Sequence, residues 1–428
     1  MRAARETPVV LEVTEVGARG DGIAVHAGKP VYLPFTAPGD RVRARLGAPR
    51  DAGRAGTVVE LLEAGARQAP VCPHFGTCGG CALQHLAPDV YRAFKVERVR
   101  AALAHRGLDT GAVEALVTVP PGTRRRARLA LRRHKGGENR VGFHARDSHE
   151  VEDMRVCAVL HPRLVAMVAP LRELVAAILP VRAGGAATLT LVDSGVDLLL
   201  DLPDTPDLAG LETLASFAHA QDVARLSWRV GEAGAPTPAA ERRPARVLLA
   251  GVAVDLPADG FLQASVEAER ALTELVLAGV GDAGRIADLH AGLGTFTFAL
   301  AARARVSAVD GSRAAIDALA AAAARSGFAG RIATETRDLD ARPLLPDELN
   351  RFDAVVFDPP RAGAAAQAAA LAGSRVARVV AVSCNPATFA RDARLLVDGG
   401  FRLARVVPVD QFLWSPHVEL VAWLERSA

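Results

Sequence analysis

Arg285-Ile286-Ala287-Asp288-Leu289-His290-Ala291-Gly292-Leu293-Gly294-Thr295-Phe296 reads as a strand that runs into a glycine-rich turn and then opens a helix. Gly292 and Gly294 carry no Cβ, so the backbone there can approach a ligand closely. The next strand, Arg305-Val306-Ser307-Ala308-Val309-Asp310, ends in a carboxylate placed to accept from a ribose hydroxyl. From about Val247 onward, strands alternate with Ala-rich helices near 314–324 and 364–372. Alanine has the best helix propensity, and the alternation predicts a parallel α/β sheet of Rossmann-like type. A Gly-x-Gly alone suits either a dinucleotide or S-adenosylmethionine. The missing third glycine favours the latter.

Two further strands end in proline-marked turns. Phe352-Asp353-Ala354-Val355-Val356-Phe357-Asp358-Pro359-Pro360-Arg361-Ala362-Gly363 is a buried strand closed by Asp-Pro-Pro. Proline cannot continue a ladder, so the chain turns at the carboxyl end of the sheet, where open α/β sheets bind ligands. Such turns are typical of methyltransferases acting on a nucleobase, with the aspartate facing cofactor and substrate. Val379-Val380-Ala381-Val382-Ser383-Cys384-Asn385-Pro386 brings Cys384 to the same rim. A single cysteine is more often a buried structural residue, but the strand-end place and the Asn-Pro turn reverse that preference. A thiolate is what methylation of uracil at C5 requires, because C5 turns nucleophilic only after a group has added to C6. A base must then take the C5 proton. Glu419, at the start of the last apolar strand in Val409-Asp410-Gln411-Phe412-Leu413-Trp414-Ser415-Pro416-His417-Val418-Glu419-Leu420-Val421, could reach the rim. Without a motif, a solvated strand-end carboxylate is the better description of it.

These motifs together resemble the RNA uridine-C5 methyltransferase family: Ser-Cys-Asn-Pro at Cys384, Asp-Pro-Pro-Arg-Ala-Gly at Asp358, and Pro-His-Val-Glu ending at Glu419. The resemblance implies Cys384 as nucleophile and Glu419 as general base. It implies S-adenosylmethionine as cofactor, held by Gln263 of Gly-Phe-Leu-Gln, His290, Gly292, Gly294, Thr295, Asp310, Asp338 and Asp358. Several positions depart from the family pattern: Asp310 stands for glutamate, Ser265 for asparagine, His290 for an aromatic residue and Thr295 for asparagine.

Toward the N-terminus, residues 8–64 form short strands around Gly-rich turns, which fits a small oligonucleotide-binding-type barrel. The family resemblance extends here, to a TRAM-type RNA-binding barrel. Arg41, Arg43 and Arg45 alternate, so they share one strand face, as an RNA contact or as a charge-guarded edge. Domains are expected at 1–64, 65–245 and 246–428, with 231–244 as a loop or hairpin linker. The middle domain is expected to be α+β, with a helix over Pro88–Arg106 and a basic strand at 124–133. Arg124, Arg126, Arg128 and Arg132 of that strand would face RNA phosphates, because so many unpaired like charges repel one another.

Four of the five cysteines lie in this middle domain: Cys72, Cys78 and Cys81, spaced Cys-x5-Cys-x2-Cys, and the distant Cys157. An odd cysteine count argues against a disulfide framework and for metal or catalytic thiols. Four thiolates can hold zinc or an iron–sulfur cluster, and three clustered plus one remote suits the cubane. The arrangement also resembles the [4Fe-4S] cluster of the family's rRNA-acting members.

Residues 1–150 carry 24 Lys+Arg against 15 Asp+Glu, and the remainder 27 against 33. A basic front and an acidic back suggest a polyanion held by one part and worked on by the other. No apolar run is long enough to span a bilayer, and the first residues lack the apolar stretch of a secretory signal. The expectation is a cytoplasmic monomer that methylates uridine in RNA, with 23S rRNA as substrate. A tRNA enzyme and a non-catalytic RNA-binding iron–sulfur protein are the alternatives.

Overall fold

The computed structural model describes residues 7–426; residues 1–6, where no secretory signal is expected, lie outside the described residues. Strands Val9–Val16, Gly22–His26, Lys29–Leu33, Arg41–Arg50 and Gly53–Glu63 close into a five-stranded barrel. Alternation turns Leu11, Val13, Val31, Leu33, Val42 and Ala44 inward as its core. The Pro38-Gly39-Asp40 turn is held by Asp40, whose buried carboxylate accepts from the Ala37 and Gly65 backbones at 2.8 and 2.9 Å.

A second sheet has six strands in the order Thr237–Glu241, Val223–Val230, Gly195–Leu202, Gly184–Val192, Arg126–Arg133, Asn139–Gly142. The predicted basic strand is therefore real, with Ala127, Leu129 and Leu131 buried beneath it. The segment expected to be a linker contributes the edge strand Thr237–Glu241. It carries Pro238, which only an edge position tolerates.

The third sheet has eight strands in the order Ile332–Thr336, Arg305–Asp310, Arg285–Leu289, Ala354–Phe357, Arg378–Ser383, Glu419–Arg426, Phe401–Asp410, Val117–Thr118. The first five run parallel. Ile286–Leu289 and Ala354–Phe357 are buried throughout, as strands covered on both faces must be. Helices on either side start from side-chain caps: Ser265, Ser312 and Asn385 each accept from a first-turn backbone N–H. Ser265, where the family pattern has asparagine, thus has a structural task of its own.

The expected boundary of the middle domain at residue 65 needs correction. The helix Pro88–Ala104 buries Val99 and Leu103 in the same core as Leu289, Val355 and Leu420, and Val117–Thr118 is the last strand of the eight-stranded sheet. The stretch from 88 to 118 therefore packs with the C-terminal domain. Proximity in sequence does not decide which core an amphipathic helix joins. The apolar face with room for it does.

Candidate active site

The carboxyl ends of the parallel strands form one rim. At the end of Arg285–Leu289 the chain turns through His290, Gly292 and Gly294, all with positive φ (58°, 54° and 94°). A Cβ on Gly294 would meet the Phe298 ring at 2.8 Å, whereas one on Gly292 would meet nothing within 4 Å. Gly292 is thus required for its left-handed backbone, and the space above it is open. Its N–H donates to Asp310 Oδ2 at 2.9 Å, and Ser312 N–H donates to Oδ1 at 2.7 Å. Each Asp310 oxygen keeps a second lone pair for a hydroxyl donor. Asp338 closes its own turn by accepting from the Asp340 and Ala341 backbones, and Thr295 is half-buried in the glycine turn.

Two polar atoms in this corner are buried without partners: Asp288 Oδ1 and His290 Nε2. Burial keeps the His290 imidazole below its usual range, hence neutral. Burial, with the Asp358 and Asp310 charges added, pushes the Asp288 carboxyl up to about 7 while Thr297 Oγ1 donates to its other oxygen at 2.5 Å. An open glycine turn beside a carboxylate with spare acceptor capacity, backed by buried polar atoms without partners, fits a ligand carrying hydroxyl and amino groups, so S-adenosylmethionine is compatible with this corner. Asp288 escaped the sequence reading. Its signal was a carboxylate inside an otherwise apolar strand.

The reacting end is built by strand register. Glu419–Arg426 runs antiparallel to Arg378–Ser383 with Leu420 opposite Ser383, so Glu419 comes level with Cys384. Asn385 caps the following helix, and its side chain donates to the Arg361 carbonyl at 3.0 Å, tying the cysteine turn to the Asp-Pro-Pro turn. Cys384 is half-buried, and its thiol is pushed up to about 11 by burial and by the Glu419 and Asp358 carboxylates, against the opposing pull of Arg361. Glu419 is 2% exposed, and burial and the Asp358 charge hold its carboxyl well above the usual range. Asp358 is itself raised by burial. The sequence thus placed Cys384, Glu419, Gln263 and Asp358 in one site, and the structure brings them together there.

These shifts predict the pH dependence of Cys384. With the thiol near 11, its alkylation by iodoacetamide should keep rising from pH 8 to 10, about tenfold per unit, because only the thiolate reacts. Glu419→Gln removes the larger of the two opposing charges, so alkylation at pH 8 should rise severalfold. Mass spectrometry of the Cys384 peptide follows both, and a plateau near pH 9 would contradict the assignment.

Behind the rim lie groups that sequence reading missed. Gln411 connects Glu419 to Gln263, which donates to Asp358 Oδ2 at 2.9 Å. Lys95 and Tyr91 of the helix Pro88–Ala104 reach under the loop 411–418 and hold Asp410. Burial lowers the Lys95 ammonium's affinity for its proton, and the Asp410 carboxylate opposes that.

The four remaining cysteines line one cavity of about 810 Å³ with Arg124 and with Phe412, Leu413, Ser415, Pro416 and His417 of the loop that precedes Glu419. Gly79 is needed because a Cβ there would lie 2.8 Å from the His144 carbonyl. Gly80 N–H donates to Cys78 Sγ at 3.4 Å, and burial raises the Cys78, Cys81 and Cys157 thiols, Cys81 to about 12. Among the described residues, no three His, Cys, Asp or Glu stand at the spacing of ligands to one metal ion. The structure thus places the four thiols around one cavity.

The arginines assigned to RNA require a correction of premise, because four of the seven are paired with carboxylates. Arg41 meets Glu63 and Arg43 meets Glu60, each at 2.6 Å. Arg126 meets Asp259 at 3.4 Å, and Arg128 meets Asp201 and Glu232. Arg45 and Arg132 are exposed, and Arg124 donates to the Arg126 carbonyl. Alternation fixed which way these side chains point. The partners came from distant strands and loops. Exposed pairs such as Arg41–Glu63 are worth only about 0–1 kcal/mol, so a phosphate can displace the carboxylate.

No helix among the described residues is long and apolar enough to cross a membrane. The tRNA (uracil-5-)-methyltransferase family model matches residues 344–427, the stretch holding Asp358, Cys384 and Glu419. An uncharacterized RNA methyltransferase of Caulobacter vibrioides is 44% identical, over 97% of this chain and 99% of its own. The 23S rRNA (uracil(1939)-C(5))-methyltransferase of Chromohalobacter salexigens is 35% identical, over 97% and 89%. The crystal structure of Pyrococcus abyssi tRNA (uracil-54, C5)-methyltransferase, in complex with S-adenosyl-L-homocysteine, matches with a TM-score of 0.72 at 23% identity, over 97% and 99%. At that identity the likeness speaks for the fold.

Proposed function

The chain belongs to the RNA uracil-C5 methyltransferase family, and from that premise we propose that it methylates C5 of a uridine in 23S rRNA through a covalent bond between Cys384 and C6. It is an S-adenosylmethionine-dependent enzyme of that family. The observation that carries the covalent reading is the strand register that sets Glu419 level with Cys384, beside Asp358.

S-adenosylmethionine, when bound, supplies the methyl group on a positively charged sulfur. Gln263, His290, Gly292, Gly294, Thr295, Asp310, Asp338 and Asp358 line its place. The Cys384 thiol ionises more readily once a cation enters this acidic site. Its thiolate adds to C6, and the electron pair displaced from the C5–C6 double bond moves to O4, making C5 the nucleophile toward the methyl group. Glu419 then takes the C5 proton, the double bond re-forms, and the C6–S bond breaks to return the thiolate. The uridine must be unpaired or flipped out to reach the sulfur.

Cys72, Cys78, Cys81 and Cys157 would hold a [4Fe-4S] cluster beside the loop that leads to Glu419. Arg41, Arg43 and Arg45 of the barrel and Arg124, Arg126, Arg128 and Arg132 of the second sheet would line the RNA path. A monomer in the cytoplasm is the expected state. Ribosomal RNA is preferred over tRNA because the relative named for 23S rRNA is 35% identical across nearly the whole chain, the tRNA enzyme only 23%.

The test uses anaerobically purified full-length chain, S-adenosylmethionine and 5-fluorouridine-substituted transcripts. Fluorine at C5 cannot leave as a proton, so the adduct persists through denaturing electrophoresis. A retarded band with the 23S transcript and none with tRNA is expected. A band with tRNA alone would move the substrate to tRNA, and no band with an RNA proven to be methylated would defeat the covalent mechanism. The same preparation should be brown and hold about four irons per chain. Zinc in their place would overturn the cluster.

A further inference from the structure

Gln411 is 5% exposed and follows the last residue of the strand Phe401–Asp410. The direction of its amide is set by a neighbour that allows only one reading. The backbone N–H of Ala264 can only donate, and it lies 3.1 Å from one terminal atom of Gln411, which must therefore be Oε1. Nε2 then donates twice, to Glu419 Oε2 and to Gln263 Oε1 at 3.1 Å. With its oxygen accepting, Gln263 turns its own Nε2 to Asp358 Oδ2 at 2.9 Å. Side-chain amides usually leave oxygen and nitrogen ambiguous. Here one backbone N–H orients the whole chain of bonds between two buried carboxylates.

Both protons of the Gln411 amide are consumed, so Glu419 Oε2 is occupied. Glu419 Oε1 is left buried with no partner. It is the oxygen of that carboxylate with no hydrogen bond to give up before it receives a proton from a substrate beside Cys384. A neutral amide suits this place. It donates to the ionised carboxylate, which burial alone would disfavour, and it has no acidic proton of its own to exchange.

We propose that Gln411 is the positioning residue of the proton-abstraction step: its amide holds Glu419 Oε2, presents Oε1 to the hydrogen on C5 of the target base, and ties the base to the cofactor-side carboxylate Asp358 through Gln263. The inference rests on the covalent reading above and goes beyond it by assigning the last chemical step to an orientation that a third residue imposes.

Gln411→Met keeps the side chain's length and removes both donors. With ordinary uridine RNA this variant should complete attack and methyl transfer and then stall. A denaturation-resistant protein–RNA band carrying labelled methyl should accumulate, with kcat down about 10- to 100-fold and KM for RNA unchanged. Adduct formation on 5-fluorouridine RNA does not use proton removal, so its rate should change less than twofold, which also reports an intact fold. Should the methionine variant fail to fold, Gln411→Glu keeps size and polarity but offers Glu419 no N–H, and the same stalled band is expected. A folded variant with normal turnover, or one slowed equally on both RNAs, overturns the proposal. Absence of the 5-fluorouridine adduct in the unmodified enzyme would instead bring down the covalent reading, and this inference with it.

Discussion

Cys384→Ala is expected to lower methyl transfer by about 10⁴-fold or more, on the scale at which removal of other catalytic nucleophiles acts. No neighbouring group can replace the sulfur. The adjacent Ser383 hydroxyl is engaged locally, donating to the Asn385 carbonyl at 3.3 Å and accepting from the Asn385 N–H at 3.2 Å. The carboxylates around it favour proton removal but add poorly to a pyrimidine. Stability should change little, because Cys384 is only half-buried and the Asn385 cap of the next helix does not depend on the thiol. RNA binding and thermal unfolding should therefore match the parent while labelled-methyl incorporation disappears. Cys384→Ser should behave alike, since a hydroxyl stays protonated where the thiol ionises. Turnover within tenfold of the parent in either variant would refute covalent attack.

The second large effect should come from Lys95, far from the chemistry in sequence. Its side chain is fully buried, and Nζ donates to Asp410 Oδ1 at 2.6 Å, to the Phe412 carbonyl at 3.1 Å and to the His417 carbonyl at 2.5 Å. Tyr91 adds its hydroxyl to Asp410 Oδ2 at 2.5 Å and accepts from the Trp414 N–H at 2.9 Å. The Trp414 carbonyl accepts from the Ala82 and Leu83 backbones, and this web holds Trp414 at a φ of 55°. The loop so anchored joins Gln411 to Glu419. Lys95→Met would leave a buried carboxylate and two carbonyls without their cation. Breaking a buried pair in this way costs about 3–5 kcal/mol. Chemical denaturation should register that loss, with kcat falling because the base is no longer held. A double change, Lys95→Met with Asp410→Leu, removes the stranded charge and should recover much of the stability, but not the turnover. A Lys95→Met protein as stable as its parent would contradict this role for the buried cation.

Much of the site is legible in the amino-acid sequence because its signals are local. A proline after a buried strand ends the ladder wherever the strand lies, so Asp-Pro-Pro and Cys-Asn-Pro alone put Asp358 and Cys384 at the carboxyl rim. Alternation in the strand at 41–45 and the spacing of Cys72, Cys78 and Cys81 are likewise properties of a few consecutive residues. The partners of those residues are not legible in this way. Nothing near Arg128 in sequence announces Asp201, and nothing near Lys95 announces Asp410.

By itself, then, the sequence determined the N-terminal barrel, the basic strand, the parallel α/β sheet and the strand ends that carry Asp358 and Cys384, because periodicity and turn chemistry act over a handful of residues. Only the tertiary structure decided that Glu419 stands level with Cys384, that the helix at 88–104 packs under the loop 411–418, that Gln411 joins Glu419 to Gln263 and that Arg41, Arg43, Arg126 and Arg128 have carboxylate neighbours. Each of these depends on which distant surfaces pack together and in what register, a choice made by burial summed over the whole core and encoded in no single stretch of chain.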